Sequence, residues 1–100
     1  MIPEQIKIGH QTMAVRLSEL LPQDGDMGAT YHETGHIHIS RMLNDDQQEV
    51  TLVHEILHTC CRFAGIGATE KLTEEQFCTR IDNVLHMVLK ENPNLFSPQK

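Results

Sequence analysis

The run Val53-His54-Glu55-Ile56-Leu57-His58 constrains this chain more than any other stretch. On an α-helix, residues four apart sit one above the other on the same face, so His54 and His58 can offer two imidazole nitrogens to a single ion. Glu55 follows the first histidine by about 100° of helix rotation. That is near enough to act on a water at such an ion, but not to ligate it. The motif therefore requires a helix at these positions.

The surrounding residues agree. Seven of the 100 residues are histidine, and chance would yield about 0.04 HExxH motifs in a chain of this composition. A helix is predicted over residues 45–64, opened by an Asx-type cap at Asn44 or Asp45. Val50, Val53, Ile56, Leu57, Cys60 and Ala64 make its apolar stripe, with His54 and His58 at the edge beside Leu57 and Cys61. An ion held there would be half-buried and open to a second molecule.

Two histidines are too few for a stable site, because zinc takes a third protein ligand and a catalytic zinc leaves the fourth position to water. The predicted helix over 73–91 supplies candidates. Thr73 is its N-cap, Glu74 and Glu75 suit the positive end of the dipole, and Gln76 completes a capping box. Phe77, Ile81, Val84, Leu85 and Val88 form its buried stripe. Glu74 projects near the centre of that stripe, whereas Glu75 and Asp82 lie at one edge, like the histidines on their own helix. Glu75 is the expected third ligand, with Glu74 and Asp82 as alternatives.

Upstream, the chain reads as β-structure. Alternating runs at 5–8 and 12–17 flank Gly9 as a hairpin, and Pro22, Asp24, Gly25 and Asp26 mark a loop over 20–28. Runs at 29–31 and 36–40 flank a turn at Glu33, Thr34 and Gly35. In the second run Ile37 and Ile39 point one way, His36 and His38 the other. The expected architecture is α+β: a small antiparallel sheet packed against the HExxH helix and a second, C-terminal helix. One domain spans 1–100, with a β-rich part at 1–43, helices at 45–64 and 73–91, and a tail at 92–100 whose Leu95 and Phe96 either pack back or meet a partner.

A formal charge of −6 without any Lys or Arg cluster argues against nucleic-acid or anionic-membrane partners. No apolar run is long enough to cross a bilayer, and no signal-like segment opens the chain, so a cytoplasmic location is expected. The three cysteines, Cys60, Cys61 and Cys78, suit a reducing compartment and read as small core residues. His54, His58 and Cys61 share a helix face, but three successive positions on a straight helix span too much length to converge on one tetrahedral ion.

Taken with TLVHEILH at 51–58, EEQF at 74–77 and LKENP at 89–93, the chain resembles the small HExxH metallopeptidase-like proteins of phages and prophages, a group allied to the gluzincins. It departs from several members at Thr79, where they carry a further acid. The resemblance implies a minimal zincin-like fold with one Zn²⁺ per chain held by His54, His58 and a glutamate of the second helix. It implies Glu55 as general base in attack of water on a peptide or amide carbonyl, with a peptide or protein as substrate. For a phage-encoded chain the location would be the host cytoplasm. Tyr31, His36, His38 and Arg80 are the candidates for stabilising the oxyanion. The alternative is a non-catalytic, zinc-stabilised protein-binding module that retains the same site.

Overall fold

A computed structural model describes residues 1–19, 27–67 and 69–96. The expected loop at 20–28 falls mostly outside them. Four strands precede two helices: β1 (Gln5–Ile8), β2 (Gln11–Ser18), β3 (Gly28–Tyr31), β4 (His36–Ser40), α1 (Asp45–Phe63) and α2 (Glu74–Glu91). The α+β architecture and both helices agree with the sequence.

The sheet differs from the expected one. Its order is β1-β2-β4-β3, and β2 pairs with β4 in parallel, Val15 opposite Ile37 and Leu17 opposite Ile39. It is therefore mixed, not antiparallel. The two hairpins, β1–β2 and β3–β4, are antiparallel as read, but the second enters with β4 innermost. The reason is apolar content. Ile37 and Ile39 are fully buried, which an interior strand provides, whereas Gly28-Ala29-Thr30-Tyr31 offers little to bury and occupies the edge.

Strand alternation sends Ile6, Ile8, Met13, Val15, Ile37 and Ile39 to one face, where they join Leu52, Ile56, Cys60, Ile81 and Val88 in a single core. Both helices therefore cover the same face of the sheet. α1 lies against β3 and β4, and α2 against β1. At the β1–β2 turn Gly9 has φ +62°, and a Cβ there would stand 2.8 Å from Phe63 Cζ. Position 9 thus needs glycine both for its backbone and for the approach of α1.

Capping decides where the helices begin. The Asn44 side chain accepts from the Gln47 amide at 2.8 Å while Gln47 Oε1 accepts from the Asn44 amide at 3.0 Å. Thr73 and Gln76 repeat that box on α2. The buried face of α1 is rotated from the expected stripe. Val50 and Val53 are 70% and 39% exposed, and the residues turned inward include Gln48, Leu52, Glu55 and Thr59. Two of the polar members are satisfied locally: Gln48 Nε2 donates to Leu43 O, and Thr59 Oγ1 donates to Glu55 O. Apolar pattern alone therefore misplaces the face, because α1 buries polar side chains toward the sheet.

The end of α2 is tied to the far edge of the sheet. Asn92 Oδ1 accepts from the Lys7 amide at 3.0 Å, and Asn92 Nδ2 donates to Lys7 O at 2.8 Å and to Val88 O at 2.7 Å. The side-chain amide completes the ladder of β1 as a further strand would. Beyond it, Leu95 and Phe96 pack back onto the core, and the remainder of the tail lies outside the described residues. Of the cysteines, Cys60 is buried and Cys61 half-buried, but Cys78 is exposed on α2 and is not a core residue. Among the described residues, no helix is long and apolar enough to cross a membrane.

Candidate metal centre

α1 presents His54 and His58 on its exposed side, with Nε2 atoms 3.0 Å apart and ring centroids 4.6 Å apart. Two nitrogens each about 2.05 Å from a tetrahedral ion stand about 3.3 Å apart. The pair is thus within a few tenths of an ångström of that spacing, and it fits two of the ligand positions of zinc. Among the described residues, no group of three His, Cys, Asp or Glu side chains is drawn together closely enough to hold an ion.

Glu55 points the other way round the helix, inward. It is 7% exposed, and its Oε1 accepts a 2.6 Å hydrogen bond from Thr30 Oγ1 on β3. The helix comes this close to the strand because Gly28, on the same face two residues earlier, has no side chain. A Cβ there would lie 2.7 Å from Thr51 Cγ2 and 3.4 Å from Glu55 Cγ. One glycine and one threonine of the edge strand thereby fix the carboxylate, with its second oxygen uncommitted to any hydrogen bond of a described residue.

Glu55, Thr30 and His58 line a cleft of about 970 Å³ that runs between α1, the connector after it and the start of α2. Phe77, Leu72 and Ile66 give it an apolar wall. All three carboxylates considered on α2 are exposed; Glu74 lines this cleft, and Glu75 and Asp82 do not. The difference is one residue of helix rotation at the N-terminal turn, where the apolar stripe is too short to fix the phase.

The cleft residues not singled out by sequence include His32, just after β3, and Arg62, one turn beyond His58. His32 is held below the ordinary histidine range, first by burial and then by the positive charges of Arg62 and His58, with Glu55 opposing. Nothing local in the sequence marks either residue. Thr30, by contrast, shares a strand face with Gly28 and is legible once β3 is placed.

The earlier oxyanion candidates lie elsewhere. Tyr31, His36 and His38 alternate with inward-facing residues and occupy the opposite side of the sheet from α1. Arg80 is engaged with the connector, its Nη1 donating to Glu70 Oε1 at 2.6 Å and its Nη2 to the carbonyls of Ala64 and Gly65. Glu70 Oε2 accepts from the Gly67 amide. This strap shapes the wall of the cleft. Comparison of the chain with known protein families, characterised proteins and solved structures gives no match.

Proposed function

We propose that the chain is a zinc-dependent hydrolase of peptide or amide bonds, with His54 and His58 as metal ligands and Glu55 as general base. The observation that carries this reading is a pair of imidazole nitrogens 3.0 Å apart on α1, one of which, that of His58, shares a cleft with the buried Glu55 carboxylate that Thr30 holds. Burying a carboxylate is costly unless it is paired, and Thr30 supplies that partner while Glu55 still lines the cleft.

Bound there, zinc would make a water acidic near neutral pH and polarise a carbonyl. Glu74 is the favoured third ligand because it lines the cleft with His58, in place of Glu75. Glu55 accepts a proton from the attacking water on its free oxygen and returns it to the leaving amine. Thr30 keeps the carboxylate in the orientation that this transfer needs. His32 and Arg62 replace Tyr31, His36, His38 and Arg80 as donors to the oxyanion, being the imidazole and guanidinium that share the cleft with Glu55.

Metal content by mass spectrometry, for wild type, His54→Ala/His58→Ala, Glu74→Ala and Glu75→Ala, tests the ligand set. The double histidine variant and Glu74→Ala should lose zinc, and Glu75→Ala should keep it. Glu55→Gln should retain zinc but lose turnover of a peptide library by several orders of magnitude. A wild type that holds zinc yet shows no hydrolysis would favour the binding module instead.

A further inference from the structure

We propose that Arg62 binds the free α-carboxylate of a peptide substrate, so that the cleft takes the C-terminal end of a chain whose last residue is apolar. The proposal rests on the hydrolase reading above. Arg62 stands one turn beyond His58 on α1 and lines the same cleft. The guanidinium groups of Arg16, Arg41 and Arg80 each donate to a carbonyl or carboxylate of the protein. That of Arg62 makes no hydrogen bond or ion pair with a described residue.

The acids of the cleft are committed elsewhere. Glu70 accepts from Arg80 and from the Gly67 amide, and Glu55 and Glu74 serve the ion in the proposed reading. A guanidinium without a counter-charge selects an anion, and its planar fork matches a carboxylate. Its five N–H donors are more than one oxyanion takes, so Arg62 can hold a carboxylate and still donate to the oxyanion. A carboxylate could come from a chain terminus or from an acidic side chain. The wall made by Ile66, Leu72 and Phe77 favours the terminus. A C-terminal apolar residue supplies a side chain for that wall and a carboxylate for Arg62 together, whereas an acidic side chain leaves the wall unfilled. The spacing agrees. Four residues of helix advance about 6 Å, and an extended peptide advances about 3.3–3.6 Å per residue. With the scissile carbonyl beside His58, a carboxylate at Arg62 lies one or two residues further on. Water added across that bond frees a C-terminal amino acid or dipeptide, whose new amine takes the proton held by Glu55.

The test uses three peptides: acetyl-Ala-Ala-Phe as the free acid, the same peptide as its C-terminal amide, and acetyl-Ala-Ala-Asp amide. Each is titrated at pH 7.5 into the Glu55→Gln protein supplied with zinc and followed by NMR shifts, so that binding is read without turnover. The free acid should bind at least about tenfold tighter than either amide. Adding Arg62→Gln should erase that preference and leave amide binding unchanged. Arg62→Lys, which keeps the charge without the fork, should restore part of it. Equal binding of the acid and its amide, or a preference that survives Arg62→Gln, would leave Arg62 a last-turn cation of α1 and overturn the proposal. So would an Asp amide as tight as the free acid, or loss of amide binding in Arg62→Gln. Acid-selective binding through Arg62, in a chain whose wild type hydrolyses none of the three, would sink the hydrolase reading and keep this site. Hydrolysis of acid and amide at equal rates would sink this site alone.

Discussion

Asn92→Ala should destabilise the fold by about 2 kcal/mol, although Asn92 does not line the cleft. Its side chain makes three hydrogen bonds, two to Lys7 and one to Val88. A neutral hydrogen bond contributes about 0.5–1.5 kcal/mol net, and bonds open to water fall at the low end. Three such bonds therefore total about 2 kcal/mol, with the backbone cap from the Asn92 amide to Val88 O retained. At an m-value of about 1.5 kcal/mol/M, the urea midpoint should fall by about 1.3 M. Asn92→Asp gives the decisive contrast. It can still accept from the Lys7 amide, but it loses both donated bonds and sets a negative charge at the carboxyl end of α2, where the dipole disfavours it. It should be at least as unstable as the alanine variant. Hydrogen exchange adds a local readout, since the Lys7 amide should lose protection in Asn92→Ala and keep part of it in Asn92→Asp. A midpoint shift under about 0.3 M together with an unchanged Lys7 amide would refute the clasp.

Thr30→Val removes the hydroxyl that donates to the Glu55 carboxylate, at constant shape. It should cost about 1–3 kcal/mol, read by urea unfolding, because a buried carboxylate loses its partner, and it should slow any hydrolysis without releasing metal. Gly9→Ala should cost more than about 1 kcal/mol in the same assay, through positive φ and the clash with Phe63, and Phe63→Leu should relieve only the steric part. Glu70 is held below the ordinary carboxylate range, first by its bond from Arg80 and then by the Gly67 amide. Its folded value being the lower one, the pair's contribution is complete above pH 4.5 and fades as pH falls through the folded value. Thermal midpoints of wild type and Glu70→Gln should therefore converge on acidification from pH 6 to pH 3, and a constant gap would contradict the strap.

Much of the architecture was legible because its signals are local. The boxes at Asn44–Gln47 and Thr73–Gln76, Gly9 and Gly35 at the two turns, and the Ile37/Ile39 alternation each need only a few neighbouring residues to be read. The parallel seam was not legible, because whether β3 or β4 lies against β2 depends on which buries better beneath a helix far along the chain. The face of α1 was misread for a related reason. Val50 and Val53 look inward by hydropathy, yet inward positions go to Gln48, Glu55 and Thr59; of these, Glu55 takes its partner from Thr30 on a distant strand, which cannot be seen in the helix alone. Glu74 and Glu75 differ by one step of rotation, and of the two only Glu74 lines the cleft.

The seam also divides the molecule by order along the chain. From β3 through α1 one continuous stretch carries Thr30, His32, His54, Glu55 and His58. The hairpin before it and the helix after it are joined to each other by Asn92 and Lys7. The two ends of the chain are thus tied to each other, and the later one also brings Glu74 to the cleft. In hydrogen-exchange terms β1 and the end of α2 should open together, since Asn92 ties one to the other. A cut or a new terminus would then be better tolerated between β2 and β3 than anywhere inside the stretch from Gly28 to Phe63.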